Sequence, residues 1–235
     1  DKIAARLSGP EAVDAVVTAL DDGSYTVHYT ARLVGAYTLQ VLCNDQPATT
    51  SPFNVVVSAA ATSAAHCTVS GDGCVSAIAG QPSSFAVLAA DAFGNRRITG
   101  GDRFTVKLSG PADVAGVVAD NHDGSYLARY TVQTAGQYQL HVLLDGAPVG
   151  SAVQTVVARP GVAFPPRCFA DSSALQSCVA GQQTRFVLSA VDEFGNACAT
   201  GGEVFTAVLR PSVASNAESE QQAHPVTAAV ADRGD

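Results

Sequence analysis

Apolar residues alternate with polar ones along most of the chain, and clusters of Gly, Asn, Asp and Pro break the alternation into short runs. Phe85, Val87 and Ala89 fall on one side of such a run. So do Phe104, Val106 and Leu108, then Tyr126, Ala128 and Tyr130, then Tyr138, Leu140 and Val142. The intervening positions Thr105, Lys107, Arg129, Gln139 and His141 are more polar. A period of two with one apolar side predicts β-strands that each bury one face, and no stretch carries a helical period. Strands with a dry face and a wet face belong to an antiparallel sheet that packs on a second sheet.

The runs recur at a fixed distance. Leu7-Ser8-Gly9-Pro10 returns as Leu108-Ser109-Gly110-Pro111, Asp22-Gly23-Ser24-Tyr25 as Asp123-Gly124-Ser125-Tyr126, and Gly35-x-Tyr37 as Gly136-x-Tyr138, each 101 residues on. The same offset carries Cys67 to Cys168, Ala79-Gly80-Gln81 to Ala180-Gly181-Gln182, and Asp91-x-Phe93-Gly94-Asn95 to Asp192-x-Phe194-Gly195-Asn196. Thr99-Gly100-Gly101 likewise maps to Thr200-Gly201-Gly202. One offset shared by independent motifs is the signature of tandem modules. A unit of about 100 residues with roughly seven strands has the size of an immunoglobulin-like sandwich, here without the Cys, Trp, Cys core of antibody domains.

The stretch Asp123-Gly124-Ser125-Tyr126-x-x-x-Tyr130, followed by Gly136-x-Tyr138-x-Leu140-x-Val142, resembles the E and F strands of filamin-type immunoglobulin-like repeats. The first copy repeats it from Asp22 to Val41 and adds Ser51-Pro52-Phe53, which resembles the opening of the family's last strand. Two positions depart from the family. The proline common after the second Tyr is Ala31 and Val132 here, and Ser-Pro-Phe becomes Ala152-Val153-Gln154 in the middle copy. The resemblance covers nearly the whole chain and implies an all-β fold of tandem immunoglobulin-like β-sandwiches, one complete and two truncated. On this basis residues 1–58 are expected to be a repeat lacking strands A and B, 62–159 a complete repeat, and 164–235 a repeat truncated before strand E. A sandwich without strands A and B exposes a wide apolar face, so the outer copies are expected to be unstable alone unless another molecule complements them. In the middle copy the family order places strand A near 67–70, B at 84–90, C at 104–108, D at 114–119, E at 125–130, F at 137–144 and G at 151–157.

The small-residue stretch 58–65 is expected to bend as a linker, and the second linker, 159–166, to be stiffened by Pro165 and Pro166. In the third copy Asp120 maps to Asp232 at an offset of 112, which places about eleven extra residues between strands C and D, expected as a mobile polar loop over 212–224.

Charge narrows the partner classes. With 13 Lys and Arg against 21 Asp and Glu, and a formal charge of -8, the chain lacks the basic footprint that nucleic acid and anionic membranes require. No apolar run reaches the roughly 18–20 residues of a membrane-spanning helix, so no membrane insertion is expected. Hydrophobic content of 47% can sustain folded cores. The complete absence of Met predicts a fragment or a processed piece.

Six cysteines raise the choice between disulfide, free thiol and metal. Cys67 and Cys74, and Cys168 and Cys178, both flank the loop after strand A. A local disulfide in each copy is therefore expected, closing loops of eight and eleven residues and worth roughly 2.5–3 kcal/mol. Such pairs would imply an oxidising compartment outside the cell or in the secretory route, whereas filamins proper are cytosolic, so localisation stays open. Cys43 and Cys198 have no repeated counterpart. No C-x2-C pair exists, and no metal or cofactor is expected. The Asp-x-Phe-Gly-Asn motifs combine carboxylate and amide oxygens as a calcium loop would, but Arg96 and Arg97 would repel the ion; a turn with Phe plugging the end of the sandwich is expected instead. Arg233-Gly234-Asp235 spells an integrin-recognition tripeptide, yet aligns with the turn residues Asn121-His122-Asp123. The five histidines do not cluster with a repeated acid and nucleophile, so no enzyme is expected in this span.

Binding by surface remains. The resemblance implies that a partner peptide adds as a strand between C and D, where Thr105, Lys107, Ser109, Asp113 and Ala115 would meet it. The implied role is a non-enzymatic scaffold or spacer that binds protein or peptide partners and organises the actin cytoskeleton, with actin itself a partner only if the parent protein has an actin-binding domain. The alternatives are an extracellular adhesion module, for which paired cysteines would speak, and the recruiting arm of a larger ligase or kinase.

Overall fold

The computed structural model describes residues 1–48, 50–150, 153–171, 175–179, 181–198, 200–209 and 226–231. Among the described residues secondary structure is almost entirely strand, with complete single-turn 3-10 segments at Ala64–His66 and Asp72–Cys74. In the first copy the strands are β1 (Ile3–Ser8), β2 (Val13–Asp14), β3 (Val16–Ala19), β4 (Tyr25–His28), β5 (Gly35–Cys43), β6 (Gln46–Pro47) and β7 (Phe53–Val57). The middle copy has β8 (Thr68–Ser70), β9 (Ser76–Ile78), β10 (Pro82–Leu88), β11 (Phe104–Ser109), β12 (Val114–Ala115) and β13 (Val117–Asp120). It continues with β14 (Ser125–Thr131), β15 (Gly136–Leu144), β16 (Ala147–Pro148) and β17 (Gln154–Arg159). The third copy contributes β18 (Phe169–Ala170), β19 (Leu188–Ser189), β20 (Ala207–Leu209) and β21 (Val226–Ala228).

The middle copy is a two-layer sandwich. One sheet has the order β13-β14-β10-β8 and the other β12-β11-β15-β17-β9, with β16 as a short flap on β15. Alternation decides which face goes inside. Phe85, Val87, Phe104, Val106, Leu108, Tyr126, Ala128, Tyr130, Tyr138, Leu140 and Val142 are all buried, while Thr105, Lys107, Arg129 and Gln139 are exposed. Tyrosines do the work that Trp does in antibody domains, and each buried hydroxyl finds a partner. The Tyr126 ring packs tilted against Phe104, 4.6 Å between centroids, and its hydroxyl donates to Asp102 Oδ2 at 3.0 Å, and Tyr130 donates to the Gly73 carbonyl at 2.6 Å. Val132, at the family's proline position, is fully buried.

Two strands switch sheets, which simple alternation does not reveal. The first strand of the sandwich pairs antiparallel with β10 as β8, turns at Gly71–Cys74, and pairs parallel with β17 as β9. The fourth pairs with β11 as β12, then crosses at Gly116 to pair with β14 as β13. A Cβ on Gly116 would lie 2.8 Å from Val106 Cγ1 and 3.1 Å from the Arg129 carbonyl, so glycine lets the chain pass between the sheets. In the first copy the crossover residue is Ala15, which donates to Ala5 O as Gly116 donates to Val106 O. The side chain gained at the crossover is offset by a smaller one opposite.

Strand pairing reproduces the sequence repeat. β1 pairs with β5 and β2 in the same register as β11 with β15 and β12, 101 residues on. In the third copy Leu209 pairs with Val226 and Val208 with Thr227, as Leu108 pairs with Val114 and Lys107 with Ala115. That register places the eleven-residue insertion between β20 and β21. The expected loop over 212–224, Ala152, Ala180, Asp232 and Arg233-Gly234-Asp235 lie outside the described residues. In the first copy, among the described residues, only β3 and β4 face the five-stranded sheet, so Tyr25 and Val27 are half-buried and Tyr29 is 40% exposed where Tyr130 is 4%.

Candidate partner-binding edge and inter-repeat joints

The strand switch at Gly116 leaves part of β11 uncovered. β12 pairs with β11 only at Lys107 and Leu108, and one further bond joins the Gly116 N–H to the Val106 carbonyl at 2.9 Å. Backbone groups alternate sides along a strand, so Thr105, Lys107 and Ser109 address β15 while Phe104, Val106 and Leu108 address the outer edge. Among the described residues no strand pairs with Phe104 on that outer side, and β13 has β14 on one flank only. Of the five expected contact residues, Thr105, Lys107, Asp113 and Ala115 are exposed and Ser109 is half-buried. Lys107 Nζ lies 3.1 Å from Asp113 Oδ2. Both side chains are mostly exposed, so this pair adds little stability and is open to exchange for a ligand's charges.

The Asp-x-Phe-Gly-Asn loops have a role that sequence reading did not assign. Asp91 Oδ1 accepts the Phe93 and Asn95 backbone N–H groups, both at 2.9 Å. Its Oδ2 accepts Asn95 Nδ2 at 2.8 Å and the Ala60 N–H at 3.0 Å. These donors fill the acceptor positions of a carboxylate and leave none for an ion, which is the geometry of a turn rather than of a calcium loop. Asn95 reaches outside its own copy, donating from Nδ2 to the Arg32 carbonyl at 2.7 Å and accepting the Val34 N–H on Oδ1 at 3.1 Å. Arg32 and Val34 lie in the β4–β5 loop of the preceding copy. Between them Leu33 is itself held, because Tyr37 Oη donates to its carbonyl at 2.8 Å, the tyrosine corner of immunoglobulin-like folds.

Every one of these contacts returns 101 residues on. Asp192 accepts Phe194, Asn196 and Gly161 backbone N–H groups and Asn196 Nδ2, at 2.7–2.9 Å. Asn196 donates to the Gln133 carbonyl and accepts the Ala135 N–H, both at 2.8 Å, on either side of the Thr134 carbonyl that Tyr138 holds. The phenylalanines do not plug their own sandwich: Phe93 is 51% and Phe194 36% exposed. Phe93 lies under the Arg32 guanidinium, 5.9 Å from ring centroid to Cζ. Phe194 fills the space above Gly80 of the preceding copy, where a Cβ would sit 2.3 Å from its Cε2.

The alanine-rich stretch expected to bend is bonded to the middle copy instead. Arg97 Nη1 donates to the carbonyls of Ala59 and Ala60, Thr62 Oγ1 to Asp102 Oδ2, and the Ser63 N–H to the Ala90 carbonyl. Burial raises the Asp91 carboxyl, but the Asn95 amide and the N–H groups of Ala60, Asn95 and Phe93 outweigh it and hold the group at about 2. Asp192 is lowered by the same balance. A folded value below the ordinary 3.8 means that the joint contributes fully above the unfolded value and weakens as pH falls from about 4 towards 2. Side-chain amide resonances of Asn95 and Asn196 should hold constant between about pH 5 and 8 and shift together below about pH 4. A shift between 5 and 8 would contradict this assignment.

The expected disulfides are not formed, and all six cysteines are free. Cys67 and Cys74 are both buried in the core of the middle sandwich, where the Cys67 thiol donates to the Ser63 carbonyl at 3.2 Å. Burial raises the Cys67 thiol and pushes that of Cys74 up to about 11. Cys168 repeats the first arrangement with Sγ 3.5 Å from the Phe164 carbonyl, while Cys178 is exposed. Among the described residues no three His, Cys, Asp or Glu side chains converge on an ion site.

The Filamin/ABP280 repeat profile matches residues 2–54 and 61–152. Tripartite motif-containing protein 3 of Rattus norvegicus is 39% identical over 102 residues, which are 42% of this chain and 14% of that protein. Filamin-A of Drosophila melanogaster is 31% identical over 146 residues, 61% of this chain and 6% of that protein. The chain thus spans a small fraction of both relatives. Among solved structures the Escherichia coli adhesin FdeC shares the fold with a TM-score of 0.57 at 21% identity, over 87% of this chain and 71% of that one. With the profile matching more than half of the sequence, and with the signature turns and tyrosines seated in a two-sheet sandwich, the chain belongs to the Filamin/ABP280 repeat family.

Proposed function

We propose that this chain is part of a non-enzymatic scaffolding array, and that the open stretch of β11 beside β12 and β13 takes a partner's extended segment as an added strand. In this reading residues 62–159 form a complete unit and 1–58 and 164–235 parts of its neighbours. The observation that carries it is the strand edge left unpaired at Phe104, beside the exposed side chains of Thr105, Lys107 and Ala115. An edge of this kind supplies main-chain bonds, and the flanking side chains supply selectivity. Any link to actin requires an actin-binding domain elsewhere in the parent protein.

The test is selection of peptides from a random display library against the chain, followed by mapping of amide shifts. Bound peptides should perturb residues 104–108 and 114–119, and Thr105→Asp should weaken them at least about tenfold by placing a charge on the edge. Selected peptides that map to other strands, and ignore the variant, would refute the proposal. The alternative is a cell-surface adhesion module, which paired cysteines would favour; the free thiols of the structure speak against it. Thiol titration of the unfolded chain without reductant should count all six cysteines, and protection of Cys67 with Cys74 and of Cys168 with Cys178 would select the adhesion reading.

A further inference from the structure

We infer that the Asp-x-Phe-Gly-Asn loop is a docking plug for the preceding repeat, which locks successive repeats in one orientation and makes the array a stiff rod. Independent sandwiches on bending linkers are the general expectation for tandem domains. Two features of this chain run against it. The joints are the same: the Asn amide bridges a carbonyl and an N–H two residues apart in the preceding loop, at separations of 63 and 61 residues in both places. The first joint is also dry at its centre, with Asp91 1% and Asn95 8% exposed, and in the second Asp192 is 1% exposed while Asn196 is half-buried.

The division of labour explains how unlike sequences build one joint. The plug side uses side chains and is constant: Asp, Phe, Gly and Asn in both copies. The Asp and Asn contacts read the socket through its backbone, so those socket residues differ, with Arg32 against Gln133, Val34 against Ala135 and Ala60 against Gly161. What the socket must supply is shape, and Tyr37 and Tyr138 supply it by fixing the carbonyl between the two contacted residues. A swing of one repeat against the next would strip the Asn amide of both partners while the Asp carboxylate lost its linker donor. Buried polar groups so linked come apart together rather than one at a time. It follows that a repeat carrying this motif docks on its predecessor whatever the linker sequence. This inference does not depend on which edge binds a partner.

Residual dipolar couplings of the full 235-residue chain test it. The sheet of β1, β5 and β7 and the middle sandwich should fit a single alignment tensor. In Asn95→Ala the first copy's couplings should fall at least about twofold as the units move apart, while shifts of the middle core stay in place. Phe93→Ala provides a second variant, because its half-exposed ring cannot compromise the core, and should loosen the same joint. Unequal tensors in the unmodified chain would overturn the inference, and so would a shared tensor in every variant that remains folded.

Discussion

Tyr126→Ala is expected to lower the unfolding free energy of the middle sandwich by about 3–5 kcal/mol, a large share of the 5–15 kcal/mol that a domain of this size holds. The ring is 1% exposed and packs tilted against Phe104, and the hydroxyl answers both the backbone N–H and the carboxylate of Asp102. Alanine would leave a cavity between the sheets and free Asp102, which also receives Thr62 from the linker. Tyr126→Phe separates the two contributions and should cost only about 1 kcal/mol. The matched residue Tyr25 closes the same Asp-Gly-Ser-Tyr turn but is half-buried, so Tyr25→Ala should cost less than half as much. Urea unfolding followed by circular dichroism measures all three. Equal losses for Tyr25 and Tyr126 would contradict the packing described.

Asp91→Ala should cost about 3 kcal/mol or more, although it removes no apolar contact. Its carboxylate satisfies the N–H groups of Phe93, Asn95 and Ala60 together with the Asn95 amide. Each buried donor left unanswered costs about 1–3 kcal/mol, and the losses are not additive. Asp91→Asn is the sharper substitution. It preserves the volume but turns one acceptor into a donor that faces other donors, so it should not restore stability. Full recovery in Asp91→Asn would show that shape rather than hydrogen bonding holds the loop.

Much of this fold was legible because a strand's period of two writes its buried face directly into the sequence. Phe104, Val106 and Leu108 inside against Thr105 and Lys107 outside follow from alternation alone. The offset change from 101 to 112 gave the size of the insertion, which the pairing of Leu209 with Val226 reproduces. The sheet switches at Gly71–Cys74 and Gly116 were not legible, since they depend on the distance between two sheets rather than on the run of residues. The joints escaped for a related reason. Asn95 and the Gly35-x-Tyr37 stretch were both visible as repeated motifs, but each was read within its own copy, whereas the contact runs from one copy to the preceding one. Phe93 was misassigned to its own core on the same ground. The cysteine spacing suggested bridges, yet Cys67 and Cys74 behave as small core residues with thiols raised by burial.

A closed sandwich with one unpaired strand edge fixes the pattern of amide hydrogen exchange along β11, which tests both features at once. Thr105 and Lys107 point their N–H groups into the ladder with β15 and should exchange slowly, whereas Phe104, facing outward, should exchange about a hundredfold faster. Equal protection at Phe104 and Thr105 would mean that the edge is covered, and fast exchange at all three would mean that the sandwich does not form.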